Sequence, residues 1–455
     1  MKRIYAFFLA AAILFSIAGC NGSETQIPDT EIAEIPSKEQ VIDTERDGEL
    51  SREEMWIADI NYLKEQYIKK HKDPFYYCSE EEFCWKIDRL VSNVAGLSDN
   101  DIYFELAEII AGMGDSHTRL VPPECLYESA FPINVRFFGE KLYLYSYCEG
   151  YEQFEPYLLQ EIVAVNGVDL AYLIRKAESV SSPANSWLSK EDFWQLYMIP
   201  AFLDWAGCCN DGEYSFQILN ENMEIESVSV PTISYEDFRA STSVRLEGAL
   251  RTPKFENSVQ YFDGENGGFI CVSLSNVDSE DKSYQNTFEK ANELMETYPD
   301  CKKLVFDLRP LPGGYGKFLS DFREDVSSLK ANAEAISQTY VLTGGYTGSL
   351  AIECVSILKK ELNAVTVGEP TRNFSTFFAY SAVAKPVVLP YSGITVNIAD
   401  MWNKGTAIAE EQYDENGKLY IWENKILPDV FISQDVDDIR QGYDSIFLWV
   451  LKQPV

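Results

Sequence analysis

From Glu54 to Met113 apolar residues recur at helical spacing. In "EMWIADINYLKEQYIKKH" the side chains of Trp56, Ile57, Ile60, Leu63 and Tyr67 fall on roughly one face, and "EEEFCWKIDRLVSNVAGL" and "NDIYFELAEIIAGM" repeat the pattern. Three amphipathic segments in succession predict a small helical bundle over residues 51–120. After Thr118 the period shortens. "FPINVRFFGEKLYLYSYC" and "LQEIVAVNGVDL" are β-branched and aromatic runs set apart by turn residues, which predicts strands. Residues 168–207 return to helical character, and "EYSFQILN" followed by "SVSVPTI" predicts a hairpin turning around Asn220, Glu221 and Asn222. Residues 121–250 therefore read as a mixed α+β region.

The pattern changes again beyond residue 250. "GGFICVSLSNV", "KKLVFDLRP", "AISQTYVLTGG" and "NAVTVGEP" are short apolar runs, with stretches long enough for crossover helices between the first three and after Ser349. Short buried strands alternating with helices predict an α/β core with a largely parallel sheet over residues 251–455. In such sheets working residues sit where strand carboxyl ends enter loops, and the glycine-rich "PLPGGYG" and "TGGYTGS" fall at such positions.

The N-terminus adds a different kind of signal. "MKRIYAFFLAAAILFSIAGC" combines Lys2 and Arg3, an apolar run short for a membrane span, and a small-residue site, as an export signal does. Its ending, Ile17-Ala18-Gly19-Cys20, resembles a bacterial lipoprotein lipobox. That likeness implies removal of residues 1–19, acylation of Cys20, and attachment by lipid alone to the outer face of the bacterial cytoplasmic membrane. Residues 20–50 are acidic, poor in aromatics and dotted with proline and glycine, the composition of a flexible stalk. The chain of 455 residues carries 72 acidic against 38 basic side chains, a formal charge of -34 that repels nucleic acid and anionic headgroups. Ten cysteines include no C-x-x-C pair and no accompanying histidine, which argues against structural zinc; Cys78 and Cys84 are placed either to bridge a local turn or to be buried thiols.

Ser349 in "TGGYTGSLAIE" opens a helical stretch, so by itself it is either an N-cap or a nucleophile. A serine nucleophile needs a base, and the chain has two histidines. His71, in the lysine-rich "KKHKDPF", reads as an exposed residue at a helix C-terminus. His117, in "GMGDSHTRL", follows a helix and is flanked by glycine, acid and hydroxyl, and is the better candidate. The strand Leu304 to Leu308 leads into Gly313 and Gly314, whose unhindered N–H groups suit a developing oxyanion. Neither glycine loop matches a phosphate-binding pattern.

Taken in order, "ELAEIIAGMGDSHTRL", "EIVAVNGVDL", "KKLVFDLRPLPGG", "YVLTGGYTGSLAIECVSILKKELNAVTVGEPT" and "ILPDVFI" resemble the tail-specific (C-terminal processing) and tricorn-core serine peptidase superfamily from about Trp56 to Leu451. The resemblance implies a ClpP/crotonase-like α/β core and a surface-tethered enzyme that cleaves a peptide or unfolded protein with no metal or organic cofactor. It implies Ser349 of Thr347-Gly348-Ser349 as nucleophile, the Leu350 N–H as one oxyanion donor and Gly313 or Gly314 as the other. The resemblance argues against the branch with a lysine base, because Phe374 stands near the expected position and no lysine follows "GEPT" before Lys385.

The histidine branch then implies His117 as general base with Ser116 assisting it. The acid orienting the imidazole comes from the region of Asp400, Glu410 and Glu411, among which the choice stays open, and Asp115 is near in sequence. The chain departs from the family pattern at Pro310 and Leu311 before the glycine pair, and at Arg372 and Asn373 after "GEPT". Such changes reshape a substrate groove and keep a second reading in play: a non-catalytic peptide-binding surface lipoprotein on the same fold. A purely structural surface protein, with Ser349 only a cap, is a third. The segment around "LQEIVAVNGVDL" resembles part of a PDZ-type module, against a plain cap region.

Overall fold

A computed structural model describes residues 50–181, 190–194, 198–220, 222–245, 256–264, 267–314, 316–333, 335–372, 377–381, 383–403 and 427–454. Cys20, Glu410, Glu411 and Phe374, with the expected signal peptide and nearly all of the stalk, lie outside these residues. The chain divides into two compact units, and residues Phe378–Trp402 cluster with the first rather than with the second.

The first unit opens with helices α1 (Arg52–Lys70), α2 (Glu80–Asn93) and α3 (Asp99–Ala111). Each starts at a serine that behaves as a cap: Ser51, Ser79 and Ser98 have extended backbones, and each side chain accepts the N–H three residues on. Ser51 with Glu54 and Ser98 with Asp101 complete capping boxes. The stripe seen in the sequence points inward, with Trp56, Ile60, Leu63 and Tyr67 fully buried. They share one core with Leu142, Leu144, Ile162 and Phe216, so helices and mixed region are a single hydrophobic body.

Those strand residues come from an antiparallel meander, Ile133–Phe138, Lys141–Cys148, Glu161–Val165, Tyr214–Leu219 and Ile225–Val230, each bonded to the next. The last pair runs in register from Tyr214 opposite Val230 to Leu219 opposite Ile225, the hairpin expected from the alternation. The late segment joins the same core through Val387, Leu389, Ile394 and Val396. It is fastened by an antiparallel pairing of Arg119 with Asn397 and Leu120 with Val396, and by Asp59, whose buried carboxylate accepts the N–H groups of Tyr391 and Ser392.

The second unit is built on one sheet. Strand β1 (Ser258–Phe262) lies antiparallel to β2 (Phe269–Ser273), and β2, β3 (Lys303–Asp307), β4 (Gln338–Thr343), β5 (Val365–Gly368) and β6 (Val430–Phe431) follow in parallel and in sequential order. Alternate residues face opposite cores, as a period of two requires. Ile270, Val272, Leu304, Phe306 and Val341 pack on helices α4 (Lys282–Thr297), α5 (Leu319–Asn332) and α6 (Leu350–Leu362). Cys271, Val305, Tyr340, Leu342 and Val367 pack on α7 (Ser445–Lys452) through Ile446 and Val450. Burial on both faces is why these strands read as continuous apolar runs. Among the described residues no helix is long and apolar enough to cross a membrane.

Candidate active site

The loop from β4 to α6 ends at Ser349, and its backbone separates it from the serines that cap helices among the described residues. Ser349 has φ 50 and ψ -120, with no capping hydrogen bond from its side chain, whereas Ser51 and Ser98 sit at φ -71, ψ 161 and φ -69, ψ 167. A non-glycine residue in that conformation costs about 1–3 kcal/mol and persists only when its surroundings hold it. They do. Thr347, fully buried, donates from Oγ1 to the Leu308 carbonyl at 2.8 Å and accepts the Gly344 N–H at 3.1 Å. The Gly348 N–H reaches the Leu311 carbonyl at 3.3 Å, and the Arg372 N–H reaches the Thr347 carbonyl at 2.7 Å. Leu350 is the first residue of α6, where backbone N–H groups have no intrahelical acceptor.

The second glycine loop lies against this turn. Gly313 has φ 142, and a Cβ built on it would stand 2.8 Å from Ser349 Cβ and 3.4 Å from Ser349 Oγ. The backbone there approaches the serine as only glycine permits. Gly314 is next to Leu350, its would-be Cβ 3.0 Å from Leu350 Cδ2.

Beneath the loop Arg309 grips Asp307 with two hydrogen bonds, Nε to Oδ1 at 2.8 Å and Nη2 to Oδ2 at 2.7 Å, and donates from Nη1 to Asp444 at 2.8 Å. Burial lowers the guanidinium pKa, but the two carboxylates raise it further, so the charge is fixed. Asp444 in turn caps α7 through the N–H groups of Ile446 and Phe447. The "DLR" sequence thus ties the end of β3 to the C-terminal helix.

In the first unit, "GDSHT" forms the exit from α3. His117 is buried, its Nδ1 lies 3.1 Å from Ser116 Oγ, and its ring meets Tyr380 edge-on at 5.7 Å. The Tyr380 hydroxyl donates to the His117 carbonyl. Thr118 Oγ1 accepts the Ala399 N–H at 3.0 Å, so the late segment braces both residues. Asp115 does not face the imidazole of His117 in these contacts. Its carboxylate accepts the backbone N–H groups of His117 and Thr118, each at 2.9 Å, and contacts His71. Burial pushes the Asp115 pKa up, while the His71 hydrogen bond, the two nearby histidines and Thr118 bring it below the usual value.

The sequence reading of His71 as an exposed helix end is overturned. The lysines beside it suggest solvent, but His71 closes α1 with φ -62 and ψ 140, and its ring is buried between Tyr67 and Phe378. Nothing local in the sequence marks it, because its partner Asp115 belongs to the exit from α3. The Cys78–Cys84 bridge weighed above does not form; the nine cysteines among the described residues are free thiols.

Of the residues singled out by sequence, Ser349, Leu350, Gly313 and Gly314 come together in the second unit, and His117 with Ser116 in the first. Asp400 also belongs to the first unit, where its carboxylate accepts the Ser381 N–H at 2.6 Å and the Ser381 hydroxyl at 2.5 Å. No metal-binding group of His, Cys, Asp and Glu occurs among the described residues. Thr347 and Tyr380 are supporting residues that the sequence did not single out; only the threonine was hinted at, by its place in T-x-S.

No family model matches the chain, and no curated protein matches its sequence. Solved structures do. Mature CPAF in complex with lactacystin is 13% identical, with 88% of this chain and 98% of that chain covered at a TM-score of 0.56. A second structure, of mature CPAF, gives 13% identity, 88% and 97% coverage and a TM-score of 0.54. The photosystem II D1 C-terminal processing protease is 13% identical over 87% of this chain and 99% of that chain, at 0.34. At these identities the likeness is one of fold: a mixed α/β chain with N-terminal helices and a parallel sheet, similar to CPAF.

Proposed function

We propose that this chain is a serine peptidase that cleaves a peptide or unfolded protein through Ser349. In this reading Ser349 Oγ attacks the scissile carbonyl carbon while His117 Nε2 takes its proton. The carbonyl oxygen becomes an oxyanion held by the Leu350 N–H and by Gly313 or Gly314. The imidazolium then returns the proton to the leaving amine, and water activated by His117 releases the acyl group from Ser349. For Nε2 to accept, the ring must carry its hydrogen on Nδ1, the nitrogen beside Ser116, so Ser116 is the acceptor that selects the working tautomer. The acid completing the relay is drawn from Asp400, Glu410 and Glu411. The fold would be the ClpP/crotonase-like core of the tail-specific peptidases. Acylated Cys20 would hold the enzyme at the outer face of the bacterial cytoplasmic membrane. No cofactor takes part.

The observation that carries this reading is the backbone of Ser349. A cap needs an extended serine whose oxygen turns back to the helix, and among the described residues Ser51, Ser79, Ser98 and Ser234 each supply one. Ser349 instead adopts a strained conformation, makes no capping bond and stands against a glycine that leaves room beside it. The test is labelling with a fluorophosphonate probe. Wild type is expected to be labelled and Ser349→Ala and His117→Ala to be blank; a folded wild type that resists the probe favours the peptide-binding alternative.

A further inference from the structure

The only two histidines in the sequence, His71 and His117, are both buried in the first unit, and both are tied to Asp115. Asp115 Oδ1 accepts the His117 N–H, and Oδ2 accepts the Thr118 N–H and lies 3.1 Å from His71 Nε2. On the other side of the ring, His71 Nδ1 is 3.1 Å from the backbone nitrogen of Asp73. A backbone N–H can only donate, so Nδ1 presents its lone pair and the ring hydrogen resides on Nε2, aimed at Asp115. The tautomer of His71 is therefore dictated by its neighbours.

We propose that His71 is a positioning residue for His117: by holding Asp115 in one rotamer it fixes the backbone of the "GDSHT" turn and the angle at which the His117 imidazole is presented. The proposal rests on the reading of His117 as general base. Three features make the arrangement stiff. The His71 and Asp115 side chains are 2% and 1% exposed, so water does not stand in for either. The His71 ring is packed by Tyr67 at 5.1 Å and Phe378 at 4.9 Å between centroids. Gly114, at φ 81, has Tyr77 so close that a Cβ would meet its ring at 2.7 Å, so the start of the turn is closely packed. Take away the Nε2 donor and a buried carboxylate is left to seek another partner. Its other partners, the backbone N–H groups of His117 and Thr118 and the Thr118 side chain, all belong to the same turn, so rotation of Asp115 moves the base.

Having just two imidazoles makes the test direct. The full chain, labelled with 15N in its histidine rings, is read by long-range proton–nitrogen correlation at mildly alkaline pH. One ring is assigned by its loss in His71→Gln and the other by its loss in His117→Gln. The His71 ring is expected as the Nε2–H tautomer, and His71→Leu is expected to displace the His117 signals. In hydrolysis of a quenched fluorescent peptide, kcat of His71→Leu should fall by about 10²-fold while KM stays within about twofold, because geometry and not substrate affinity is lost. His71→Gln, which keeps a donor for Asp115, should recover most of the rate. An Nδ1–H tautomer at His71 overturns the proposal, as does a folded His71→Leu with wild-type His117 signals and kcat. Should His71→Leu not fold, the Gln variant and the wild-type tautomer decide. If wild type neither hydrolyses peptide nor takes the phosphonate probe, the peptidase reading falls, and the spectra alone decide whether His71 positions the turn.

Discussion

Replacing Gly313 by alanine adds one methyl group at the point where two loops of the second unit come closest. The new carbon would lie 2.8 Å from Ser349 Cβ and 3.4 Å from Ser349 Oγ. Carbon atoms settle at about 3.5–4.0 Å, so one loop must retreat by about 0.7 Å or more. Alanine also has to accept φ 142, and together these cost about 1–3 kcal/mol of strain. If the N–H of this loop stabilises an oxyanion, displacing it has an effect like deleting a donor, a loss of about 10²–10³-fold in kcat. Gly314→Ala is the matched control. Its methyl meets side-chain ends alone, Leu350 Cδ2 at 3.0 Å and Val277 Cγ2 at an ordinary 3.7 Å. The assay is steady-state hydrolysis of a fluorogenic peptide, with the phosphonate labelling rate and a thermal melt alongside. Gly313→Ala should lose rate far in excess of Gly314→Ala at temperatures where both are folded. A Gly313→Ala enzyme within about threefold of wild type would mean that less than about 1 kcal/mol of transition-state stabilisation was disturbed, and would refute the assignment of this loop.

Two further outcomes follow from the strain and charge of the same unit. Ser349→Gly should abolish labelling yet raise stability by about 1 kcal/mol relative to Ser349→Ala, because glycine accepts φ 50 and alanine does not; the comparison is made by denaturant unfolding. Arg309→Met should cost about 3–5 kcal/mol in the same measurement, since Asp307 and Asp444 would be left buried without their cation.

The α/β half was legible because its strands are buried on both faces. Apolar runs such as "KKLVFDLRP" are then continuous, and the sheet keeps the sequential order that short crossovers favour. The role of Ser349 was less so. Caps and strained turns use the same residue types, and only the backbone angles distinguish them. His71 was misread for a different reason: its lysine neighbours describe the local chain, whereas its burial is decided by Asp115 and Phe378, far off in sequence. The same holds for Arg309, whose partner Asp444 lies 135 residues further on.

The return of Phe378–Trp402 to the first unit bears on how this protein can be made and cut. Val387, Leu389, Ile394 and Val396 fill a core begun at Met55, so on a ribosome the first unit waits, incomplete, while β1 to β5 are synthesised. Neither unit is a contiguous fragment. A truncation after residue 377 would expose the floor that those side chains cover and remove the partner of Arg119 and Leu120, the strand just beyond His117. Dissection into independently expressed halves should therefore fail on the N-terminal side, and folding should be slow for the size of each unit, because contacts this distant close late.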